Sequence, residues 1–302
     1  MLHQQRKTET DPNVSWNTIR NQFNALADAC RKGHPVEDLW AEFKAAVTAS
    51  ASTPPTHLHT VLEQLKILEQ DRPRSKIAIL DHGTGTGVNL LYLAALGYRE
   101  LWGANVYPKA QPQNRVFNEV LGYKSDRIFI YDGHRLPLPD GSIDLVISQT
   151  VVEHLSQEVL APYYAEEGRV LRPGGFAVHQ VPHRLMPYDS HTCTWFVHYA
   201  PEFLQTLLYR YYGNTTEQVG KTLFLRSPGT HMQLARAQIG PTLDITDRRL
   251  KMPADLEAFD GPRLLRSVLN LAFTFPGLGA VFRRLVGPLM MLESISVKRA
   301  AP

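Results

Sequence analysis

Only two cysteines, Cys30 and Cys193, occur in 302 residues, and they form neither a Cys-x-x-Cys pair nor a zinc-type spacing. A disulfide framework is therefore not expected, and two reduced thiols in a cytosolic chain are the simplest reading. No apolar run reaches the roughly 18 residues that a membrane-spanning helix needs. Residues 1–13 are polar and charged, without the apolar stretch of a secretory signal, so no signal peptide is expected. Charge of one sign is also missing: 32 Lys and Arg stand against 29 Asp and Glu, a net +3. With no basic arm, a nucleic-acid partner is not expected. Repeats and low-complexity tracts are absent as well. What remains, 43% hydrophobic and 20% charged residues, is the composition of an ordinary globular chain with ample length for a core.

The chain is organised around Ile77-Ala78-Ile79-Leu80-Asp81-His82-Gly83-Thr84-Gly85-Thr86-Gly87. A short apolar run bounded by turn residues reads as a buried parallel strand. Alternate glycines let the backbone turn sharply and approach a ligand with no Cβ in the way. A helical pattern over 88–96 then points free amides and a positive dipole end at that ligand. Strand, glycine loop and helix open a doubly wound α/β sheet of the nucleotide-binding kind. Up to Gly87 both a hydride-transfer and a methyl-transfer cofactor are open. The dinucleotide fingerprint G-x-G-x-x-G is not met, because the third glycine comes one residue early.

Helical spacing of Ile19, Phe23, Leu26 and Ala29, then Leu39, Phe43 and Val47, predicts two helices over 15–49, parted at Gly33-His34-Pro35. A third helix is expected over 57–69. Strands follow at 77–81, 101–106, 127–131, 142–148 and 176–181, with helices at 88–96, 113–121 and 157–171 between them. Pro173-Gly174-Gly175 reads as a turn before the fifth strand. Regularity weakens after Pro182. A helix is expected over 201–211, residues 212–240 resist assignment, and strands six and seven are expected at 242–246 and 294–298. Residues 261–291 are apolar and helical, broken at Pro276-Gly277.

Four motifs carry a resemblance. Leu80-Asp81-His82-Gly83-Thr84-Gly85-Thr86-Gly87 resembles the first motif of class I S-adenosylmethionine-dependent methyltransferases. Leu136-Pro137-Leu138-Pro139-Asp140-Gly141-Ser142-Ile143-Asp144-Leu145-Val146 looks like that family's fourth-strand signature, and Val152-Glu153-His154-Leu155 its continuation. Glu167-Gly168-Arg169-Val170-Leu171-Arg172-Pro173-Gly174-Gly175 resembles the turn into its fifth strand. The resemblance spans about residues 75–182, within the methyltransferase type 11-like subgroup. It implies a Rossmann-like, mostly parallel seven-stranded sheet with helices on both faces. To this the chain adds an N-terminal helical extension (1–74) and an acceptor-binding region with apolar C-terminal helices (183–302).

The resemblance also implies S-adenosyl-L-methionine as cofactor. Asp81 is expected at its cationic amino group, Gly83, Gly85 and Gly87 against its methionine portion, Asp132 and Gly133 at the adenine, and Gln149 at the sulfonium end. Asn105 stands where the family places an acid for the ribose; it can accept from a hydroxyl without the assistance of charge. Asp81 has an alternative as a helix cap, and Asp132 as a plain turn residue. Asp144 is read as structural.

Beyond the carboxyl ends of strands four and five lie two stretches suited to the methyl acceptor. The first offers His154 as the base that takes the acceptor's proton. The second, 182–199, offers His191 and His198 among aromatics, with Arg184 for a phosphate or carboxylate; it resembles a loop of methyltransferases in bacterial cell-surface sugar pathways. Glu153 and His154 also fit part of the E-x-x-E-H metal pattern of some quinone-ring methyltransferases. Thr150 replaces its first glutamate, so no metal is expected. The expected function is O-methylation of a small acceptor, sugar-like or lipid-linked, in the cytoplasm. The apolar stretch 263–291 is read as a cover for the acceptor site or a homodimer seam, with peripheral membrane contact as the alternative. Two other classes remain: a nicotinamide oxidoreductase, and a non-catalytic cofactor-binding protein.

Overall fold

The structure is a computed structural model that describes residues 16–52, 54–106, 111–189, 191–212, 222–250, 267 and 276–299. The helices are α1 (Trp16–Lys32), α2 (Glu37–Ala49), α3 (His59–Leu68), α4 (Val88–Ala95), α5 (Gln111–Leu121), α6 (Gln157–Val170), α7 (Glu202–Tyr211), α8 (Pro228–Gln238) and α9 (Pro276–Val286). The strands are β1 (Ala78–His82), β2 (Glu100–Asn105), β3 (Ile128–Ile130), β4 (Ile143–Gln149), β5 (Leu171–Val181), β6 (Tyr188–Asp189), β7 (Thr194–Trp195), β8 (Thr242–Asp244) and β9 (Leu292–Val297). Seven of them form one sheet in the order β3-β2-β1-β4-β5-β9-β8, and β6 with β7 makes a small hairpin. Strands β1 to β5 run parallel, while β9 is antiparallel to both of its neighbours. This is the mostly parallel seven-stranded sheet expected from the resemblance.

Alternation along β1 explains the layering. Ile77 and Ile79 point to one face, where Ile19, Phe23, Phe43, Val47, Leu58 and Leu65 of the N-terminal helices share a core with Leu145, Ile147 and Val178. Ala78 and Leu80 point to the other face, packed with Leu160, Tyr163 and Tyr164 of α6 and with Met232 and Ala235 of α8. Every residue of β1 is buried, as a strand covered on both faces must be. The amino ends of β1 and β4 are pinned by Asp144, which accepts from the Ala78 amide at 2.8 Å, from Arg72 at 2.7 Å and from Arg172 at 3.0 Å. The structural reading of Asp144 agrees with this.

Two local features differ from expectation. Pro173-Gly174-Gly175 lies within β5 as a bulge: Ile143 pairs with Leu171, but Leu145 pairs with Phe176. Gly174, at φ +79°, turns its amide onto the Lys298 carbonyl at 3.0 Å. The segment that resists assignment contains α8. Ser227 caps it by accepting from the Thr230 amide, and Pro228 occupies its first turn. That Ser-Pro start was the available signal, and Gly229 beside it weakened the helical pattern. Proline also opens α9 at Pro276, where the sequence suggested a break. Of the 263–291 stretch, residues 263–266 and 268–275 lie outside the described residues. No described helix is long and apolar enough to cross a membrane.

Candidate active site

The order of the sheet reverses between β1 and β4, and ligands of open α/β sheets bind beyond the carboxyl ends of strands at such a point. A cavity of about 190 Å³ lies there, lined by His82, Gly83, Gly85, Ala104, Asn105, Val106, Tyr131, Thr150, Val151, His154 and Leu155. A larger one of about 390 Å³ sits at the amino edge of β1 and β2, among Glu63, Lys66, Glu69 and Arg74. It holds none of the motif residues.

The glycine loop forms the floor. Gly83 has φ +93°, and a Cβ there would stand 2.2 Å from Cγ2 of Val151, so no other residue fits. Gly85, at φ +54°, would carry a Cβ into open space, with only the Gly83 carbonyl at 4.0 Å. Its lack of a side chain leaves the cavity side of the loop bare rather than relieving a contact inside the protein. Gly85→Ala should therefore cost only the about 1 kcal/mol of a left-handed alanine in a thermal melt. Cofactor affinity should fall by tenfold or more; unchanged affinity would remove Gly85 from the site.

Asn105 has an occupation of its own. Its Oδ1 accepts from the Gly85 amide at 3.2 Å while its Nδ2 donates to the Gly85 carbonyl at 3.4 Å. A carboxylate could make the first bond and would repel the carbonyl in the second, so asparagine suits a residue that ties the glycine loop to β2. Asp132 accepts from the amides of His134 (2.8 Å) and Arg135 (3.1 Å), the pattern of a capped turn, and these bonds hold its carboxyl below the usual range. Neither Asp132 nor Gly133 lines the cavity, although a Cβ on Gly133 would face Val106, which does.

Asp81 is buried directly behind the loop. Its Oδ2 has no hydrogen-bond partner among the described residues, and burial pushes the carboxyl up to about 7, with the Thr84 hydroxyl offsetting part of that. An unpaired buried carboxylate is costly unless something cationic arrives. Gln149 accepts from Asn89 at 3.1 Å and donates to the His57 carbonyl at 2.6 Å, which also receives Gln180 at 3.0 Å. The chain just before α3 is thereby bound to the ends of β4 and β5. Thr150 follows at φ +52°, an unusual backbone for a β-branched residue.

Sequence reasoning missed the support of this floor. His82, fully buried, places Nδ1 3.0 Å from Glu167 and Nε2 2.6 Å from the Tyr131 hydroxyl, and it stacks on Tyr163 at 3.7 Å. Glu167 also accepts from His179 Nε2 at 2.7 Å. The two imidazoles draw the Glu167 carboxyl down to about 2 despite its burial. Tyr131 brings the end of this chain of bonds to the cavity wall.

At the mouth, the three candidate histidines separate. His154 and His191 meet edge to face, with ring centroids 4.8 Å apart. His154 Nδ1 lies 2.6 Å from the Thr222 carbonyl, so in the neutral ring the proton sits on Nδ1 and the lone pair on Nε2. His191, from the turn between β6 and β7, places Nδ1 3.2 Å from Asp189 and Nε2 3.4 Å from Glu153. These carboxylates hold its imidazole up to about 9, so it stays charged at neutral pH and is a poor base. His198 is buried on a separate turn, and neither of its ring nitrogens has a hydrogen-bond partner among the described residues. It makes no described contact with the other two.

Residues 80–179 match the family model described as a methyltransferase domain. The core of this chain is a class I S-adenosylmethionine-dependent methyltransferase domain. The match covers the strands and loops that build the cavity, and S-adenosyl-L-methionine is the cofactor of this family. The residues present fit it: a bare glycine loop, and a buried unpaired carboxylate oxygen for a cationic group. A protein of Mycolicibacterium smegmatis named as a probable S-adenosylmethionine-dependent methyltransferase is 46% identical over 50 residues, 17% of this chain and 19% of that protein. The chain thus matches about a fifth of that relative's length. Among solved structures, an S-adenosylmethionine-dependent methyltransferase from Mesorhizobium loti is 17% identical, with a TM-score of 0.47, over 80% of this chain and 98% of that one. A geranyl diphosphate C-methyltransferase from Streptomyces coelicolor is 13% identical, with a TM-score of 0.44, over 86% of this chain and 82% of that one. At such identities these overlays say nothing of the acceptor of the methyltransferase core.

Proposed function

We propose that this chain transfers a methyl group from S-adenosylmethionine to a hydroxyl of a small acceptor, sugar-like or lipid-linked, with His154 taking the hydroxyl proton. The observation that carries it is the lone pair of His154 Nε2 on the wall of the same cavity whose floor is the glycine loop. The cofactor, when bound, supplies an electrophilic methyl on a sulfonium leaving group. The chain's part is to hold it, align the acceptor behind the methyl, exclude water and accept one proton. Gly83 and Gly85 face the methionine portion, Asp81 its ammonium, and Gln149 borders the reacting end. Asp132, Gly133 and Asn105 flank the nucleoside side, and Gly87 serves as the left-handed residue from which α4 starts.

In this reading residues 75–182 hold the cofactor, 183–302 receive the acceptor, and the N-terminal extension 1–74 carries the helices from Trp16 to Leu68 that cover the sheet and lock its reacting edge through His57. An amphipathic acceptor suits the rings beside the site. Tyr188, Trp195, Phe196 and Tyr199 follow one another at centroid spacings of 5.1, 5.9 and 5.9 Å, and Trp195 and Phe196 are more than half exposed. Aromatic faces stack on sugar rings and rest on lipid. A cytoplasmic setting with peripheral contact to a membrane-borne acceptor follows.

The test is a mass-spectrometric search of cell extract for species that gain a methyl mass when the protein and S-adenosylmethionine are added. A hydroxylated acceptor should be found. His154→Ala should then lower kcat by about 10²–10⁴ with little change in cofactor affinity. Methylation at carbon or nitrogen, or an unchanged kcat in that variant, refutes the proposal.

A further inference from the structure

The carboxylate of Glu153 poses a problem the proposed base does not answer. Its side chain is wholly buried, and neither oxygen has a hydrogen-bond partner among the described residues. A buried carboxylate in that condition needs a cation; the His191 imidazolium fills that place, and a metal ion would do so by displacing its Nε2 proton. The groups around it are two imidazoles. Oε1 lies 3.4 Å from Nε2 of His191 and 4.0 Å from Nε2 of His154, and one ligand atom from each of the three residues lies within 4.8 Å of the others. For metal–ligand bonds near 2.1 Å, a tetrahedral site has ligands about 3.4 Å apart. One pair already has that spacing, and a small rotation of His154 brings in the third.

The partners behind the rings agree. Metal-bound imidazoles characteristically donate their other N–H to a carboxylate or a backbone carbonyl, which fixes the tautomer. His191 does so to Asp189, and His154 to the Thr222 carbonyl. Asp189 is itself held by the Thr192 hydroxyl at 2.7 Å. Both Nε2 atoms are thereby turned toward Glu153, whose two oxygens accept no hydrogen bond from the described residues. The ligands come from the turn after β4 and from the β6–β7 hairpin, 37 residues apart between His154 and His191, so no linear spacing announces them.

We propose that Glu153, His154 and His191 form a site for a divalent transition-metal ion at the mouth of the cofactor cavity, with its open positions turned to the acceptor. Two imidazoles favour an ion of the zinc, cobalt or iron(II) class over magnesium or calcium. Three protein ligands leave room for one or two oxygens of the acceptor. Coordination would make a bound hydroxyl more acidic, and its proton leaves to water at the mouth while the O–H electron pair stays on the attacking oxygen. In that state the ion takes over the task given above to the His154 lone pair. Only this chemical role rests on the proposed function; the site itself does not.

The experiment uses the full chain, free of purification tag and stripped with chelator, titrated with Zn²⁺ by calorimetry and with Co²⁺ by visible absorption. One ion per chain is expected, with ligand-field bands of low-symmetry cobalt. Glu153→Gln and His191→Asn should each weaken binding at least tenfold and abolish those bands, while Asp189→Asn should weaken it about tenfold. Circular dichroism and titration with S-adenosylhomocysteine on the same samples report folding and the cofactor site separately. Should Glu153→Gln fail to fold, His191→Asn on the surface hairpin decides. Wild-type affinity in the folded variants, or no stoichiometric ion in the wild type, overturns the proposal. Ion binding without S-adenosylhomocysteine binding would instead count against the proposed function and leave the metal site standing.

Discussion

Replacing Asp81 by asparagine should weaken binding of S-adenosylmethionine and of S-adenosylhomocysteine by about 10- to 100-fold, the worth of a charge-assisted hydrogen bond, while the ligand-free fold becomes no less stable. The two halves of this result have one cause. Asp81 is buried with an unpaired oxygen, and burial raises its carboxyl from 3.8 to about 7. A group raised in this way contributes stability that is fully present below about pH 4 and is lost as pH rises toward 7. Asparagine removes that loss, so the melting temperature of the variant at pH 8 should equal or exceed that of the parent. The ammonium of the cofactor needs the ionised form. Affinity in the parent should therefore rise between pH 5 and 7 and level off above, while the variant shows a flat profile. Calorimetric titration across this range checks both. A parent profile that is flat, or that falls with pH, would mean that Asp81 does not face the cation.

Loss of Glu167 should destabilise the fold strongly. Glu167→Gln leaves one acceptor for two buried imidazole N–H groups, from His82 and His179, and removes the charge they share. Breaking a buried pair by removing one partner costs about 3–5 kcal/mol, and for a chain of this size the melting temperature should fall by roughly 10 °C. The sign with pH is opposite to that of Asp81. Glu167 is drawn down to about 2, so its contribution is present above the ordinary carboxylate range and disappears as pH falls from about 4.5 toward 2. Parent and variant should thus converge in stability at low pH. Because His82 also holds Tyr131 on the cavity wall, cofactor affinity should drop as well. A variant with the parent's melting temperature at pH 7 would show that the histidines do not depend on this carboxylate.

Features set by local chemistry were legible in the sequence. The β1 run, the glycine loop and the caps that end the helices each follow from a few neighbouring residues, and the sheet came out with the strands where these signals placed them. Long-range polar contacts were not legible. Nothing near His82 announces a partner 85 positions away at Glu167, and Glu153 looks like the first turn of a helix until the β6–β7 hairpin brings His191 against it. That hairpin has two residues per strand, too few to show alternation. By the family pattern alone Asn105 stands in the place of an acid for the ribose. In the folded chain its side chain answers both polar groups of Gly85, a task visible only once β2 and the loop are side by side.

The most direct test of the account is a titration of the folded full chain with S-adenosylhomocysteine, with NADH as the control. Saturable binding of about one molecule per chain, with NADH not bound, is the predicted result. No binding of S-adenosylhomocysteine, or preference for NADH, in protein shown to be folded would contradict it.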